Sequence, residues 1–365
     1  MHYVYSFDAA GYREGYMKAL VTGSTGMLGH NLVRALLERG WQVRALVRSP
    51  QKAKTLLGDL SLERLELVQG DMENVAGFAH ALEGVDAVFH TAAYFREYYS
   101  AGNHWPLLKR INVDATLELI AAAEQRGVKT FIHTSSSGSL AVPTDHAICD
   151  ESSKLATDTQ NLYFKSKVEG DLAIVRWLNA APRALKLVSI LPGWMIAPRD
   201  AAPTSAGKLV LDFMARKIPG IIRAGTSTVD ARDVADAMIA AVEHGKHAEK
   251  YLVAGRMTLF AELFSILEQL TGVKAPTRTF PNGLVLALAR LDTFVSGLTR
   301  KTPTLPLDGI KTLLALHSLS SAKAERELGV RFRPLEHTLR DTVAWYRENG
   351  YLKREPASTG AVSRE

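Results

Sequence analysis

Short apolar runs, each followed by a turn and an amphipathic stretch, repeat along the first half of the chain. After the first run, apolar residues in 27–37 recur at intervals of one and four, and Gly40 is placed to end that helix. The apolar runs predict strands at Ala19–Thr22, Val43–Val47, Leu65–Val68, Ala87–Phe89, Thr130–Ile132 and Leu185–Leu191. Strands that alternate with helices of this length indicate a doubly wound α/β fold, in which helices cover both faces of a parallel sheet.

The alternation of apolar runs and amphipathic stretches ends at Pro192. Beyond it, prolines separate mostly helical segments, and one more strand candidate lies at 251–254. The cleft between the regular sheet and this less regular part is the expected binding site. The segment 1–16 lacks the apolar core of a signal peptide, and Met17 is an alternative start of translation. We therefore predict a loose extension at 1–16, a sheet domain at 17–191, a smaller, mostly helical C-terminal substrate lobe at 192–352, interleaved with it, and a flexible tail at 353–365.

Composition narrows the class of protein. The chain has 365 residues, of which 47% are hydrophobic and 22% charged, and this excludes a disordered or low-complexity protein. A single cysteine, Cys149, excludes an intrachain disulfide and favours the cytoplasm. The net charge of +6 is dispersed, so no nucleic-acid footprint is predicted. Leu284–Leu298 is too short to span a bilayer and is interpreted as a lid helix or as a membrane-surface anchor.

A glycine pattern joins the first predicted strand to the first helix. Thr22-Gly-Ser-Thr-Gly-Met-Leu-Gly29 places glycines at positions 23, 26 and 29. Glycines let the backbone turn tightly and approach a pyrophosphate, which the helix N-terminus attracts. Because a strand precedes the motif and a helix follows it, we interpret it as a dinucleotide site rather than as a plain turn. The predicted contacts are Gly23, Thr25, Gly26, Met27 and Gly29.

The end of the second strand indicates which dinucleotide is bound. An acid that binds the ribose hydroxyls of NAD is expected about 20 residues after the glycine motif. Arg48 stands there instead, and Lys52 and Lys54 follow it. An arginine at this place can pair with a 2′-phosphate, so Arg48 and Lys52 predict NADP(H) rather than NAD(H). The alternative is a solvated arginine on an edge loop.

These motifs resemble those of the extended short-chain dehydrogenase/reductase family, within the NAD-dependent epimerase/dehydratase superfamily. The similarity is greatest to the branch of dihydroflavonol reductases and 3β-hydroxysteroid dehydrogenases. Further landmarks are Gly70-Asp71-Met72, His90-Thr-Ala-Ala93, Asn112-Val-Asp-Ala-Thr116 and Pro192-Gly193. The resemblance implies that Asp71 and Met72 meet the adenine, that Ala92 and Ala93 pack against the cofactor, and that Pro192 and Gly193 contact the nicotinamide carboxamide.

Two elements carry the predicted chemistry. Tyr163 and Lys167 lie four residues apart in a predicted helix, so they share a face, whereas Lys165 points elsewhere. A nearby ammonium lowers the pKa of a tyrosine and makes it a usable acid. The resemblance implies that Lys167 and Tyr163 also hold the nicotinamide ribose, and that Ser136 in Thr134-Ser-Ser-Ser137 binds the substrate oxygen. Ser136, Tyr163 and Lys167 are therefore the predicted catalytic residues, and no metal is expected.

The predicted function is NADP-dependent reduction of an aldehyde or ketone, or the reverse oxidation of an alcohol. One alternative is a nucleotide-sugar epimerase that retains NAD(P), although Gly193-Trp-Met-Ile-Ala-Pro198 departs from the sugar enzymes' pattern. A second is a regulator that binds NADP without turnover. The aromatic loop Tyr94–Tyr99 with His104 and Trp105 indicates either a hydrophobic, ring-bearing substrate or local packing. Expected partners are a small carbonyl or alcohol and, as a peripheral contact, a membrane surface; the chain is expected to be a monomer or homodimer.

Overall fold

A computed structural model describes residues 16–95, 103–141, 148–299, 307–314, 316 and 318–352. The predicted extension before Tyr16, residues 96–99 of the aromatic loop and the predicted tail lie outside them. The strands are β1 Lys18–Thr22, β2 Gln42–Val47, β3 Leu65–Gln69, β4 Ala87–His90, β5 Thr130–Thr134, β6 Lys186–Pro192, β7 Trp194–Ile196, β8 Ile221–Ile222, β9 Gly225–Asp230, β10 Lys250–Val253, β11 Arg256–Leu259 and β12 Thr279–Phe280. The α-helices are α1 Met27–Glu38, α2 Pro50–Leu57, α3 Val75–Phe78, α4 Trp105–Lys109, α5 Ala115–Gln125, α6 Leu162–Ala180, α7 Ser205–Met214, α8 Ala231–Glu243, α9 Phe260–Thr271, α10 Asn282–Thr299, α11 Leu307–Leu314, α12 Ala322–Leu328 and α13 Leu335–Glu348.

The centre of the molecule is a seven-stranded sheet in the order β10-β6-β5-β4-β1-β2-β3. All six strand pairs are parallel, which confirms the doubly wound, Rossmann-type fold. The six predicted strands of the first half are β1 to β6. The strand predicted at 251–254 is β10, and it pairs with β6 at the sheet edge although it follows the Pro192 boundary. The second half of the chain therefore contributes to the main sheet.

Two apolar layers cover this sheet. On one face, side chains of α1, α2, α8 and α12 pack against alternate strand residues such as Val21 and Phe89. On the other, α3, α5 and α6 pack against the residues that point the opposite way, such as Leu20 and Val88. Alternation of this kind follows from the strand period of two, since successive side chains point to opposite faces. Buried layers on both faces leave the carboxyl edge of the strands as the open side of the sheet.

A second lobe packs at that edge. Its core joins α7, α9 and α13 through Phe213, Phe264 and Tyr346, which are all nearly fully buried. The lobe also has a three-stranded sheet, β11-β9-β7, and a two-stranded sheet, β12-β8. The pattern of the sequence did not predict these strands, because they are two to six residues long and β9 reads Gly-Thr-Ser-Thr-Val-Asp without a clear apolar run. Helix α10 corresponds to the helix predicted at Leu284–Leu298, and within the described residues no helix has the length and apolarity needed to cross a membrane.

Candidate active site

One large cleft runs along the carboxyl edge of the main sheet and under the second lobe, with a cavity volume of about 2310 Å³. Every residue predicted to bind cofactor or to act in catalysis lines this cleft: Gly23, Thr25, Gly26, Met27, Gly29, Arg48, Lys52, Asp71, Met72, Ala92, Ala93, Ser136, Tyr163, Lys167, Pro192 and Gly193. The fold therefore brings together segments that are up to 170 positions apart in the sequence. Open α/β sheets bind their ligands at the carboxyl ends of the strands, at a topological switch point.

The glycine loop forms a cradle that has no room for side chains. Gly23 has a φ of +68°, and a Cβ there would lie 2.7 Å from the Ala92 nitrogen. The Gly26 N–H donates to the Gly23 carbonyl at 2.9 Å, and no side chain caps the start of α1. A Cβ on Gly29 would lie 2.7 Å from the Gly23 carbonyl carbon. A turn without side chains lets a pyrophosphate approach the backbone, and the uncapped N–H groups at the start of the helix can bind it.

The end of β2 places two cations beside this cradle. Arg48 is exposed at the cleft, and Ser49 caps α2 by accepting from the Lys52 N–H at 3.5 Å. Lys52 is therefore held in the first turn of α2, with its side chain exposed. Lys54 is also exposed but is not among the described lining residues of the cleft.

The ends of β3 and β4 form the next part of the wall. Asp71 accepts from the Glu73 N–H at 2.9 Å, and Met72 is buried. At the end of β4, His90 is joined to Thr22 of β1 at 2.8 Å and to Thr116 of α5 at 3.0 Å, which fixes this strand end to a neighbouring strand and to a helix. Burial lowers the pKa of His90 to about 3, and the Lys167 ammonium acts in the same direction, so His90 is neutral. The role of His90 is thus to position the backbone that continues into Ala92 and Ala93.

Tyr163 and Lys167 lie on one face of α6, as their spacing predicts. The Lys167 ammonium is 5.9 Å from the centre of the Tyr163 ring and donates to the Thr134 carbonyl at 2.9 Å. Burial lowers the pKa of Lys167 to about 8, and the Asp171 carboxylate opposes that change. Lys165 is exposed on another face, with its ammonium 4.8 Å from the centre of the Trp105 ring. Only Lys167 of these two lysines lies beside Tyr163.

The serine block divides into residues with different environments. Ser135 also lines the cleft, but it is buried and its hydroxyl proton is donated to Asp171 at 2.8 Å. Ser136 is only partly buried, and its Oγ accepts from the Gly138 N–H at 3.1 Å. This bond uses a lone pair of the Oγ and leaves the O–H group able to donate to a substrate oxygen. Ser137 also lines the cleft.

A buried polar cluster behind Lys167 was not predicted from the sequence. Asp171 accepts from Ser135 and, at 2.9 Å, from Ser139, and one of its oxygens lies 3.9 Å from His133. Burial raises the pKa of Asp171 and holds that of His133 well below its usual value. The sequence does carry a signal, since Asp171 follows Lys167 by four residues on α6 and therefore shares its face. The cluster positions the serine block through Ser135 and Ser139, and the Asp171 carboxylate favours the charged form of Lys167.

Asn112 links the loop after β4 to the catalytic helix. It lies in a turn of π-helix, Arg110–Asp114, and its amide accepts from the Tyr94 N–H at 2.8 Å and donates to the Ser166 hydroxyl at 3.0 Å. Turns of π-helix occur frequently at functional sites. Asn112 thus connects this loop to the helix that carries Tyr163 and Lys167.

Pro192 and Gly193 end β6 at the floor of the cleft. The Gly193 N–H donates to the Val253 carbonyl at 3.1 Å, and a Cβ on Gly193 would lie 2.7 Å from the Ser227 carbonyl oxygen. Its N–H is thus already used, so a backbone contact from Gly193 to a cofactor has to come from its carbonyl. This glycine is required by the close approach of β9 and of the chain after β10.

The described aromatic residues between β4 and α4 have two roles. Phe95 lines the cleft and packs edge-on against Tyr163, with 4.7 Å between ring centres. Tyr94 also lines the cleft and is joined to His104 by a hydrogen bond of 2.7 Å, and Trp105 contacts Lys165. His104 and Trp105 are not among the described lining residues, so they pack the loop. Residues of the second lobe line the part of the cleft that we call the outer cleft. Most of them are apolar, and they include Phe260, Phe264 and Phe280.

Comparison with known proteins agrees with this geometry. The model of the NAD dependent epimerase/dehydratase family matches residues 19–254. A Synechocystis protein assigned as a dihydroflavonol 4-reductase is 31% identical over 92% of this chain and 96% of its own length. The "Sterol demethylase protein B" of Methylococcus capsulatus is 31% identical over 92% of this chain and all of its own.

Solved structures share the fold over nearly the whole chain. The crystal structure of gox2253 is 30% identical, with a TM-score of 0.77, and the match covers 92% of this chain and 99% of that one. PA4631, described as a nucleoside-diphosphate-sugar epimerase from Pseudomonas aeruginosa, has a TM-score of 0.74 at 23% identity, covering 93% of this chain and 100% of that one. The chain therefore belongs to the NAD dependent epimerase/dehydratase family and is an NAD(P)-dependent oxidoreductase.

Proposed function

We propose that this protein is an NADP-dependent reductase of a hydrophobic aldehyde or ketone, or the matching alcohol dehydrogenase. The main support is that Ser136, Tyr163 and Lys167 line the same cleft as the glycine cradle and Arg48. Relatives at 31% identity with reductase or sterol-related names agree with this class of substrate. The apolar outer cleft accommodates a substrate with rings or a long hydrocarbon part.

Cofactor binding is assigned to the residues that line the inner cleft. The uncapped start of α1 with Gly23, Thr25, Gly26, Met27 and Gly29 would hold the pyrophosphate. The remaining contacts we propose are Arg48 and Lys52 for the 2′-phosphate, Asp71 and Met72 for the adenine, Ala92 and Ala93 along the cofactor, Tyr163 and Lys167 for the ribose, and Pro192 and Gly193 for the carboxamide. When bound, the nicotinamide supplies the hydride that reduces a carbonyl carbon.

The chain's own residues supply positioning and one proton. Ser136 donates a hydrogen bond to the carbonyl oxygen and so orients the substrate, with its own proton retained. Tyr163 gives its phenolic proton to the same oxygen as negative charge develops there. The Lys167 ammonium, held by the Thr134 carbonyl, favours the phenolate that remains. Phe95 packs edge-on against the Tyr163 ring and so helps to hold it in place.

A nucleotide-sugar epimerase is the second candidate, favoured by the fold shared with PA4631. Epimerases of this fold use the same serine, tyrosine and lysine, so the catalytic residues do not separate the two functions. Arg48 at the ribose position and the apolar outer cleft favour the reductase.

The function is tested by incubating purified protein with NADPH or NADH and a panel of hydrophobic aldehydes, ring ketones and dihydroflavonols. We expect oxidation of NADPH with at least one of them, and loss of the cofactor from the protein on gel filtration. A nicotinamide cofactor that stays bound, together with turnover of a nucleoside-diphosphate sugar, would establish the epimerase. Binding of NADPH without turnover of any compound would favour a regulator.

The preference for NADP is expected to depend on Arg48. Charge-assisted hydrogen bonds contribute roughly 1.5–3 kcal/mol, so Arg48→Ala should weaken NADPH binding about 10- to 100-fold. The affinity for NADH, which lacks the 2′-phosphate, should change little. Fluorescence titration of both reduced cofactors measures the two affinities.

Lys54→Ala is the matched control, because it removes one positive charge from the same exposed segment without altering the described cleft lining. Its NADPH affinity should stay within about twofold of the unsubstituted protein, since a screened surface charge contributes little. The assignment of Arg48 is wrong if the unsubstituted protein prefers NADH, or if Arg48→Ala keeps the NADPH preference.

A further inference from the structure

Helix α10 carries an apolar face that the described residues leave uncovered. The helix is attached to the body through Val285 and Ala289, which pack with Ile310 of α11. Six large apolar side chains are between 44% and 72% exposed: Leu284, Leu288, Leu291, Phe294, Val295 and Leu298. Isolated exposed apolar residues are normal, but a contiguous group of this size marks an interaction surface.

These side chains form one stripe. Five of them are separated by alternating steps of four and three residues, from Leu284 to Leu298, and Phe294 lies beside Val295. Fourteen residues of helix give the stripe a length of about 21 Å. Helices that lie in the plane of a membrane interface turn an apolar face of this kind into the lipid.

The segments around the stripe are rich in exposed basic residues. Arg223 directly follows β8, Arg278 directly precedes β12, and these two strands are paired next to the start of α10. Arg290 lies on α10 itself and Lys311 on α11, which packs against it. Arg216 and Lys217 precede the cleft-lining residues 218–220.

The excess of basic residues at this end of the second lobe favours an anionic partner. The segments 212–223, 278–299 and 307–314 contain these six basic residues against three acids, Asp212, Asp292 and Asp308. A two-fold dimer through α10 would bring one basic rim against another, which costs electrostatic free energy. An anionic lipid surface offers negative headgroups to the basic residues and an apolar layer to the stripe.

The stripe is also continuous with the mouth of the cleft. Leu288 belongs to the stripe and lines the cleft, and Val285 and Thr293 of the same helix line it as well. An apolar compound dissolved in a bilayer would therefore meet the outer cleft where α10 rests on the membrane.

We propose that the apolar face of α10 docks on the surface of an anionic membrane, with the mouth of the cleft at the lipid. Docking does not depend on the enzymatic reaction. Entry of a lipophilic substrate from the bilayer does rest on the proposed function.

Vesicle sedimentation of the full chain without cofactor or substrate tests the docking. We expect the protein to sediment with vesicles of phosphatidylglycerol and phosphatidylcholine, to sediment much less with phosphatidylcholine alone, and to be released by high salt. The double variant Leu291→Glu, Phe294→Glu should lower the affinity for the anionic vesicles at least tenfold. Both side chains are more than half exposed, so its melting temperature should stay within a few degrees.

Leu62→Glu is the matched control, because Leu62 is 65% exposed in the turn between α2 and β3, on the main-sheet domain. Its vesicle binding should equal that of the unsubstituted chain. The proposal is overturned if the protein stays in solution with both vesicle types, or if the double variant sediments as well as the unsubstituted chain. A dimer in sedimentation equilibrium that the double variant dissociates, without vesicle binding, would assign the stripe to a second copy instead. Because no step uses NADPH, a failed carbonyl assay leaves this result unaffected.

Discussion

Tyr163→Phe is expected to lower turnover by roughly 10²- to 10⁴-fold, the range of general-acid effects, while NADPH binding survives. The substitution removes only the hydroxyl, so the ring keeps its edge contact with Phe95 and its place beside Lys167. Steady-state turnover with the best carbonyl of the panel and a fluorescence titration of NADPH separate the two effects. Ser136→Ala should also lower turnover with little change in cofactor affinity.

Two lysines on the same helix provide the control for this result. Lys167→Ala should lose turnover and also weaken NADPH binding, since we assign its buried ammonium to both the phenol and the ribose. Lys165→Ala should change turnover and NADPH binding little, because that side chain is exposed and contacts Trp105. If Lys165→Ala were as damaging as Lys167→Ala, or if Tyr163→Phe kept most of its activity, the catalytic assignment would fail and a binding regulator would become the better explanation.

The parts of the site that could be predicted are those encoded within a few neighbouring residues. The glycine loop is a local turn between a strand and a helix, and its geometry follows from the lack of Cβ atoms at positions 23, 26 and 29. The shared face of Tyr163 and Lys167 follows from helical spacing alone. The alternation of strands and helices then places these motifs at the same edge of the sheet. Local patterns were therefore enough to predict that the motifs share one cleft.

The contacts that could not be predicted join residues far apart in the chain. Asp171 reaches Ser135 and Ser139 across 36 and 32 residues, and Asn112 reaches Ser166 across 54. No spacing rule connects such pairs until the sheet order is known. The small strands of the second lobe were missed for a related reason: β8 has two residues and is paired with β12, almost sixty positions later. Tertiary pairing, rather than local propensity, holds so short a strand.

The second large effect is expected at the glycine cradle, from Gly29→Ala. A Cβ at this position would lie 2.7 Å from the Gly23 carbonyl carbon and 2.9 Å from the Ser24 Cα, and both are backbone atoms that no rotamer change can move. The loop therefore has to shift away from α1, and the N–H groups at the start of that helix lose their alignment with a bound pyrophosphate. We expect NADPH affinity to fall at least about 100-fold, or roughly 2.7 kcal/mol, and the melting temperature to fall by several degrees.

Gly283→Ala is the matched control, because Gly283 is also in the first turn of a helix, and a Cβ there would meet nothing within 4 Å. Alanine favours helix over glycine, so this variant should be as stable as the unsubstituted chain or slightly more stable, with unchanged NADPH affinity. Gly26→Ala is the graded case: its Cβ would lie 3.3 Å from the Gly23 carbonyl oxygen, a contact that a small shift relieves. It should fold normally and lose less affinity than Gly29→Ala, which keeps the test decisive even if Gly29→Ala does not fold. Equal NADPH affinity in all three variants would mean that the cofactor does not bind at this cradle.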